Sequence, residues 1–330
     1  MLRAVVRALG HTGGVLTGPA ARARIRRATT SIRALSSGPS TSQIIIEQEK
    51  EISVLQSDLR AAISGGRWAT AAALADECLA ATEALFTRDH VAYAAALNNK
   101  GLVLKQTGLT KEALDAYDEA FKIYSRLVGQ DHASTAATLA NLGHCHLAVA
   151  EKASGMDKLE HVNTARRCFE DARDARERSL GPNNWQTVFS AVHLASALRA
   201  GRQFGEAERV LVAALQSLRS IVGDRHAATA TALNNLGFLY RQMKDFDRAG
   251  DAYAEAWALR RALFGDAHPD TIATHYNVAE LARAKGDEEG AAKLQSQIVA
   301  LLDVDSDGPQ IGQSQKTSSQ AQSTMETDSK

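Results

Sequence analysis

Arg199, Arg241 and Arg283 stand 42 residues apart, an arginine set at one fixed interval. A guanidinium stays charged and offers a planar fork of donors that fits a carboxylate. Asn98 and Asn234 are a second recognition pair, because an amide side chain can both donate to and accept from the backbone of an extended peptide. Histidine recurs in two patterns. His90, His132, His226 and His268 close the segments "RDH", "QDH", "DRH" and "DAH", and "HCH" covers His144 to His146. Acidic neighbours beside histidine raise metal binding as one reading. The four segment-closing copies, however, are spread at long intervals, which puts them on successive turns and not around one ion. His144 and His146, two apart on a helix, point in different directions. Neither a phosphate-binding glycine loop nor a nucleophile elbow occurs. The expectation is binding chemistry, with no metal, no cofactor and no catalysis.

The elements that position these residues are set by an internal repeat. "ALNNKGLVLKQTGLTKEALDAYDEA" (Ala96 to Ala120) reappears as "ALNNLGFLYRQMKDFDRAGDAYAEA" (Ala232 to Ala256). One ladder runs through Ala71, Ala113, Ala165, Ala207, Ala249 and Ala291, with four intervals of 42 residues and one of 52. Gly101, Gly143, Ala195, Gly237 and Ala279 form a second, and Gly129, Gly181, Gly223 and Gly265 a third. Each repeat reads as two helices. Leu97 to Gln106 has small and apolar residues at helical spacing and stops at Gly108. Thr110 is the expected N-cap of the next helix, with an apolar stripe through Leu114, Tyr117, Phe121 and Tyr124. Gly129 suits a C′ position, and Pro269 a first helical position. Small residues at a helix crossing let two backbones approach closely. The third repeat carries ten extra residues within "AVAEKASGMDKLEHVNTA" (Ala148 to Ala165), read as a lengthened helix and loop or, more sharply, as a partner-specific protrusion.

Gly237 and Tyr240, followed by Phe246, Ala249, Tyr253 and Ala256, fill the slots of the tetratricopeptide repeat signature, and Trp68 and Phe204 share the slot of Phe246. The pattern resembles that superfamily over roughly residues 50 to 302. The 42-residue period, "LNNLG" and "GDAHPDT" (Gly265 to Thr271) are similar to the kinesin light chain and nephrocystin-3 subtype. The resemblance implies an all-α right-handed solenoid of about six antiparallel helix pairs. Its repeats would cover about 48–90, 91–132, 133–184, 185–226, 227–268 and 269–302. It further implies that the first helices line a concave groove. Its slots would hold Asn98, Asn234 and Tyr276 three before the small residue, and Phe238 one after it. Four after it come Lys105, Arg199, Arg241 and Arg283. Members that clamp chaperone tails carry Asn directly after the small residue. Here Leu102, His144 and Phe238 stand there, which argues against that clamp.

The ends differ in composition. The first 43 residues contain seven Arg and no Asp, Glu or Lys, with Leu2, Val5, Val6 and Leu9 on one helical face. Such a start reads as a transit peptide over residues 1–43, cleaved near 35 in "RALSS". It points to a mitochondrial, matrix location, with chloroplast and cytoplasm as alternatives. None of the 38 acidic residues lies in that stretch but seven of the 38 basic ones do, so the remainder carries a net charge near −7. Nucleic acid binding needs clustered positive charge, so no nucleic acid partner is expected, nor is a transmembrane segment. Residues 303–330 are almost all polar and read as a disordered tail. Three scattered Cys (Cys78, Cys145, Cys168) imply no disulfide framework, with Cys78 a core thiol.

The sequence therefore predicts a non-catalytic scaffold or assembly factor in mitochondria, holding an acidic or extended segment of a protein partner in the groove. A cytosolic cargo adaptor of the kinesin light chain kind is the alternative, weakened because only Ile44 to Ile63 is available for a preceding coiled coil. An organelle RNA-processing factor ranks below both.

Overall fold

The computed structural model describes residues 41–303, and every regular element among them is an α-helix. The helices are α1 (Thr41–Ser64), α2 (Trp68–Phe86), α3 (Val91–Gln106), α4 (Thr110–Leu127), α5 (Ala133–Lys152) and α6 (Gly155–Leu180). They continue as α7 (Trp185–Ala200), α8 (Phe204–Val222), α9 (Ala227–Gln242), α10 (Phe246–Phe264), α11 (Pro269–Ala284) and α12 (Glu288–Asp303). Consecutive helices pack against one another, α1 on α2, α3 on α4, α5 on α6, α9 on α10 and α11 on α12, the helix-pair repeat that the alanine and glycine ladders predict. The chain divides between Ile221 and Val222 into an N-terminal and a C-terminal body. The expected leader over 1–43 lies, except for its last three residues, outside the described residues, as does the tail beyond Asp303.

Each pair is clamped where its helices cross. Gly101, Gly143 and Gly237 lie beneath Tyr117, Phe169 and Tyr253 of the partner helix, and all three rings are fully buried. A Cβ on those glycines would come within 2.8, 2.6 and 2.6 Å of the ring. That is closer than carbon atoms pack, so the ring demands glycine. In two other repeats the slot is Ala195 or Ala279, and the ring's place is taken by Leu211 or Gln295. The alanine ladder lies at the same crossings: Ala71, Ala113, Ala165, Ala207, Ala249 and Ala291 are all fully buried. Burial of this kind contributes about 25 cal/mol per Å² of apolar surface.

The turns between repeats explain the recurring histidines. His90, His132, His226 and His268 each precede a first helix and accept through Nδ1 from the backbone N–H two residues on, at 3.1 to 3.2 Å. Asn184 does the same at 2.8 Å in the remaining repeat. They are helix caps, a role worth about 1 kcal/mol for capping side chains in general. Behind the cap, Thr135, Thr187 and Thr229 donate their hydroxyls to the carbonyls of Gly129, Gly181 and Gly223. Those glycines hold φ between 81° and 92°, as a C′ position requires; Thr87, in the same slot of the first repeat, holds φ 71°.

Two sequence expectations change. Thr110 is the first residue of α4 and not its cap; Leu109 stands at the N-cap with no side-chain bond. Gly108 at φ 84° completes the turn one residue earlier than the polar Thr110 implies. Asp245 fills the slot of Leu109 in the fifth repeat and does cap, accepting from Arg248 N–H at 3.2 Å. The ten extra residues of the third repeat extend helix, not loop. α5 has 20 residues and α6 has 26, against 16 and 18 for α3 and α4, and they are joined through Ala153 and Ser154 alone.

Candidate functional site

First helices bond directly to one another within each body, α3 to α5 and α5 to α7 in the N-terminal one and α9 to α11 in the C-terminal one, and each set forms a row, the inner row of that body. In the N-terminal body that row is α3, α5 and α7. Asn98 on α3 accepts through Oδ1 from Asn141 Nδ2 at 3.2 Å and from Thr138 Oγ1 at 3.3 Å, both on α5. Its NH₂ group keeps two donors. One turn further along α5, His144 Nε2 lies 3.0 Å from His193 Nδ1 on α7. Phe169 and Phe189 pack against this imidazole pair, with Phe189 4.8 Å from the His193 ring and Phe169 5.0 Å from that of His144. Burial pulls the His144 pKa down to about 4, with the Lys105 charge adding to the effect. His193 is lowered further, by burial first and then by His144, Arg176 and Lys105. Both imidazoles are therefore neutral near pH 7.

The C-terminal body repeats the amide link. Asn234 on α9 accepts from Asn277 Nδ2 on α11 at 3.0 Å. Its charges differ. Glu280 on α11 lies 3.9 Å from Arg241 and is also hydrogen-bonded to Arg283, so one carboxylate is shared by two guanidiniums. Arg283 reaches Glu288 as well, at 3.6 Å. The Arg241 guanidinium sits 4.9 Å over the Phe238 ring, a cation–π arrangement. Tyr276 stands beside this cluster in sequence and is 49% exposed.

The structure thus brings Asn234, Phe238, Arg241 and Arg283 together on α9 and α11. Asn98 and Lys105 stand on α3, and Arg199 on α7 of the N-terminal body. The sequence reading missed the bonding partners. Asn99, Asn141, His193, Asn235 and Asn277 form their own ladder two residues before the small residue, and Asn141, His193 and Asn277 supply the inter-repeat bonds. The signal was an Asn ladder broken only at His193. "HCH" resolves into two separate pairs, because His146 Nδ1 meets His161 Nδ1 at 2.9 Å on α6 and not His144. Among the described residues, no group of three or more His, Cys, Asp or Glu could hold a metal ion. No described helix is long and apolar enough to cross a membrane. Neutral amides, guanidiniums and a half-buried imidazole pair can bind and orient.

Comparison with known proteins agrees with the geometry. The tetratricopeptide repeat model matches residues 61–126, 94–154, 186–258 and 228–303. The human clustered mitochondria protein homolog is 22% identical over 186 residues, 56% of this chain, and this match spans 13% of that protein's length. Among solved structures, NprR in complex with its cognate peptide NprX superposes with a TM-score of 0.53 at 14% identity, covering 91% of this chain and 77% of that one. The nearly identical TPR-like repeats of a Podosopora anserina chain named for kinesin light chain give 0.45 at 18% identity, covering 64% and 96%. With four matches to its model that cover residues 61–154 and 186–303, twelve helices among the described residues and inner-row bonds that recur at the repeat period, the chain belongs to the tetratricopeptide repeat family.

Proposed function

We propose that the protein is a non-catalytic scaffold that holds an extended, acidic segment of a protein partner along an inner row of first helices. The observation that carries this reading is the row itself. Asn98 and Asn234 use their oxygens to tie neighbouring helices together and keep N–H donors for a peptide backbone. Cationic side chains stand two turns further along the same two helices, at Lys105 and Arg241, and near the ends of α7 and α11, at Arg199 and Arg283. Exposed ion pairs contribute about 0.2–1 kcal/mol each, whereas micromolar affinity needs about 8 kcal/mol. Apolar contact with Phe238 and Tyr276 must supply part of the difference. The peptide complex of NprR supports the reading by analogy of fold.

The proposed place of action is the mitochondrion. The acid-free, arginine-bearing stretch at 1–43 acts as its address, and the similarity to a clustered mitochondria protein homolog points the same way. Residues 1–43 fused to a fluorescent protein are expected to carry it into mitochondria; diffuse cytosolic fluorescence would contradict the address. The binding reading is tested with a triple Arg199/Arg241/Arg283→Glu variant of unchanged helicity, used as bait beside the unaltered chain. The variant should lose partners that the unaltered chain recovers. Identical recoveries would remove the inner row as the binding face.

A further inference from the structure

The two inner rows differ at one slot, Lys105 against Arg241, in whether the cation already holds a carboxylate. Arg241 and Arg283 share Glu280, so an internal carboxylate fills that fork. On the N-terminal row, Lys105 is half-buried and has no ion pair among the described residues. Beside it, His144 and His193 face each other across 3.0 Å between aromatic walls. We propose that Lys105, His144 and His193 form a proton-linked receptor for a carboxylate of an acidic peptide, a reading that rests on the inner row being the partner-binding face.

The charges around the pair decide its ligand. The Lys105 charge on α3 acts on both rings, and the Arg176 charge on α6 acts on His193; the Arg176 guanidinium is held against α7 by donating to Ser190 Oγ at 2.6 Å. On α4, Asp118 acts on His146 and not on this pair. The surroundings are therefore cationic, which repels a metal ion and attracts an anion. Two neutral imidazoles can share only one hydrogen bond between their facing nitrogens. In the neutral pair the accepting ring already carries an N–H on its outer nitrogen, while the donating ring's outer nitrogen is a lone-pair acceptor; a proton taken up there turns it into a second donor. An arriving carboxylate accepts from that second N–H and from Lys105, and it supplies the negative charge that the site lacks. The proton comes from solvent, so binding takes up a proton and strengthens as pH falls.

The test uses the full chain and a labelled ten-residue Asp/Ser peptide, whose own carboxylates stay ionised above pH 5.5. Calorimetry at pH 6.0 in two buffers of different ionisation heat reads proton uptake directly on the unaltered protein. We expect uptake of about half a proton or more per peptide, with Kd falling several-fold from pH 7.0 to 5.5. His144→Gln should remove the uptake, while Lys105→Gln should weaken binding at every pH and retain it. Uptake below about a tenth of a proton overturns the receptor, as does a Lys105→Gln variant that binds the peptide as tightly as the unaltered chain. A polyuridine probe bound equally well with the same uptake would assign the site to nucleic acid and overturn the peptide reading. If the triple-arginine bait loses its partners while the unaltered chain shows no proton uptake, the receptor fails and the inner row stands.

Discussion

The N-terminal and C-terminal bodies are built from the same helix pair and differ in what their inner rows do with charge. Both tie first helices together through side-chain amides, Asn98 with Asn141 in one and Asn234 with Asn277 in the other. Both seat a buried ring on a glycine, at Gly101, Gly143 and Gly237. Where the C-terminal row closes its guanidiniums on Glu280, the N-terminal row replaces the ladder Asn by His193 and leaves Lys105 without a carboxylate. The lesson is that a repeat fixes framework positions through packing and leaves the facing slots to vary. Those variable slots are where recognition can differ between repeats that share one backbone.

The largest effect should come from breaking the shared framework. Ala249 is fully buried at a helix crossing, whereas Ala254 on the same helix is exposed. Ala249→Trp is expected to destabilise the C-terminal body by about 3 kcal/mol or more, and Ala254→Trp by far less. Equal melting temperatures would mean that the small-residue ladder does not mark the crossings.

Acid should act more strongly on the N-terminal row, because burial lowers His144 and His193 further than His226 and His275 of the other row. His144 has its pKa lowered to about 4, so folding favours its neutral form. The resulting stability is complete above the unfolded value near pH 6.5 and is lost as pH falls from there toward 4. The N-terminal body should lose up to about 3 kcal/mol over that window through this group. Hydrogen exchange of α5 and α7, compared with α9 and α11, reads the loss by region. A His144→Gln variant with the same acid sensitivity in α5 and α7 would count against it.

A smaller effect sharpens the glycine–ring pairing. Gly237→Ala puts a Cβ into Tyr253 and should cost about 1–3 kcal/mol. Adding Tyr253→Leu should recover part of that loss, because Ala195 already coexists with Leu211 in the fourth repeat. A double variant no more stable than Gly237→Ala would show that the ring is not what excludes the methyl group.

The smallest effect tests the closed fork. Glu280→Gln frees Arg241 and leaves Arg283 only Glu288, and binding of an acidic peptide should tighten by about 0.2–1 kcal/mol, roughly 1.4- to five-fold. Anisotropy titration reads this, and unchanged or weaker binding would mean that Glu280 does not compete with the ligand.

The parts of the molecule legible in the sequence were those fixed by packing. Ala249 and Gly237 must be small whatever surrounds them, so they recur, and the helix pairs follow from their period. Gly129 had to adopt a positive φ and was readable for the same reason. Thr110 misled because a polar residue after glycine looks like a cap, while the turn geometry put Leu109 there instead. The recurring histidines were readable as turn residues but not as caps, since imidazole capping depends on which nitrogen faces the helix. Glu280 escaped notice because its meaning lies in two arginines, one of them 39 positions earlier in the chain. Pairings of that kind depend on three-dimensional placement that no single ladder displays.

The central claim is that the inner row, and not the outer surface, holds the partner. It is tested most directly by placing a photo-crosslinking amino acid at Phe238 or Tyr276 on the inner row and, separately, at exposed Asp251 on α10. Each chain is then irradiated in whole-cell extract. Crosslinks to a common partner from positions 238 and 276, with none from 251, are the predicted result. Crosslinks from 251 alone would contradict the account.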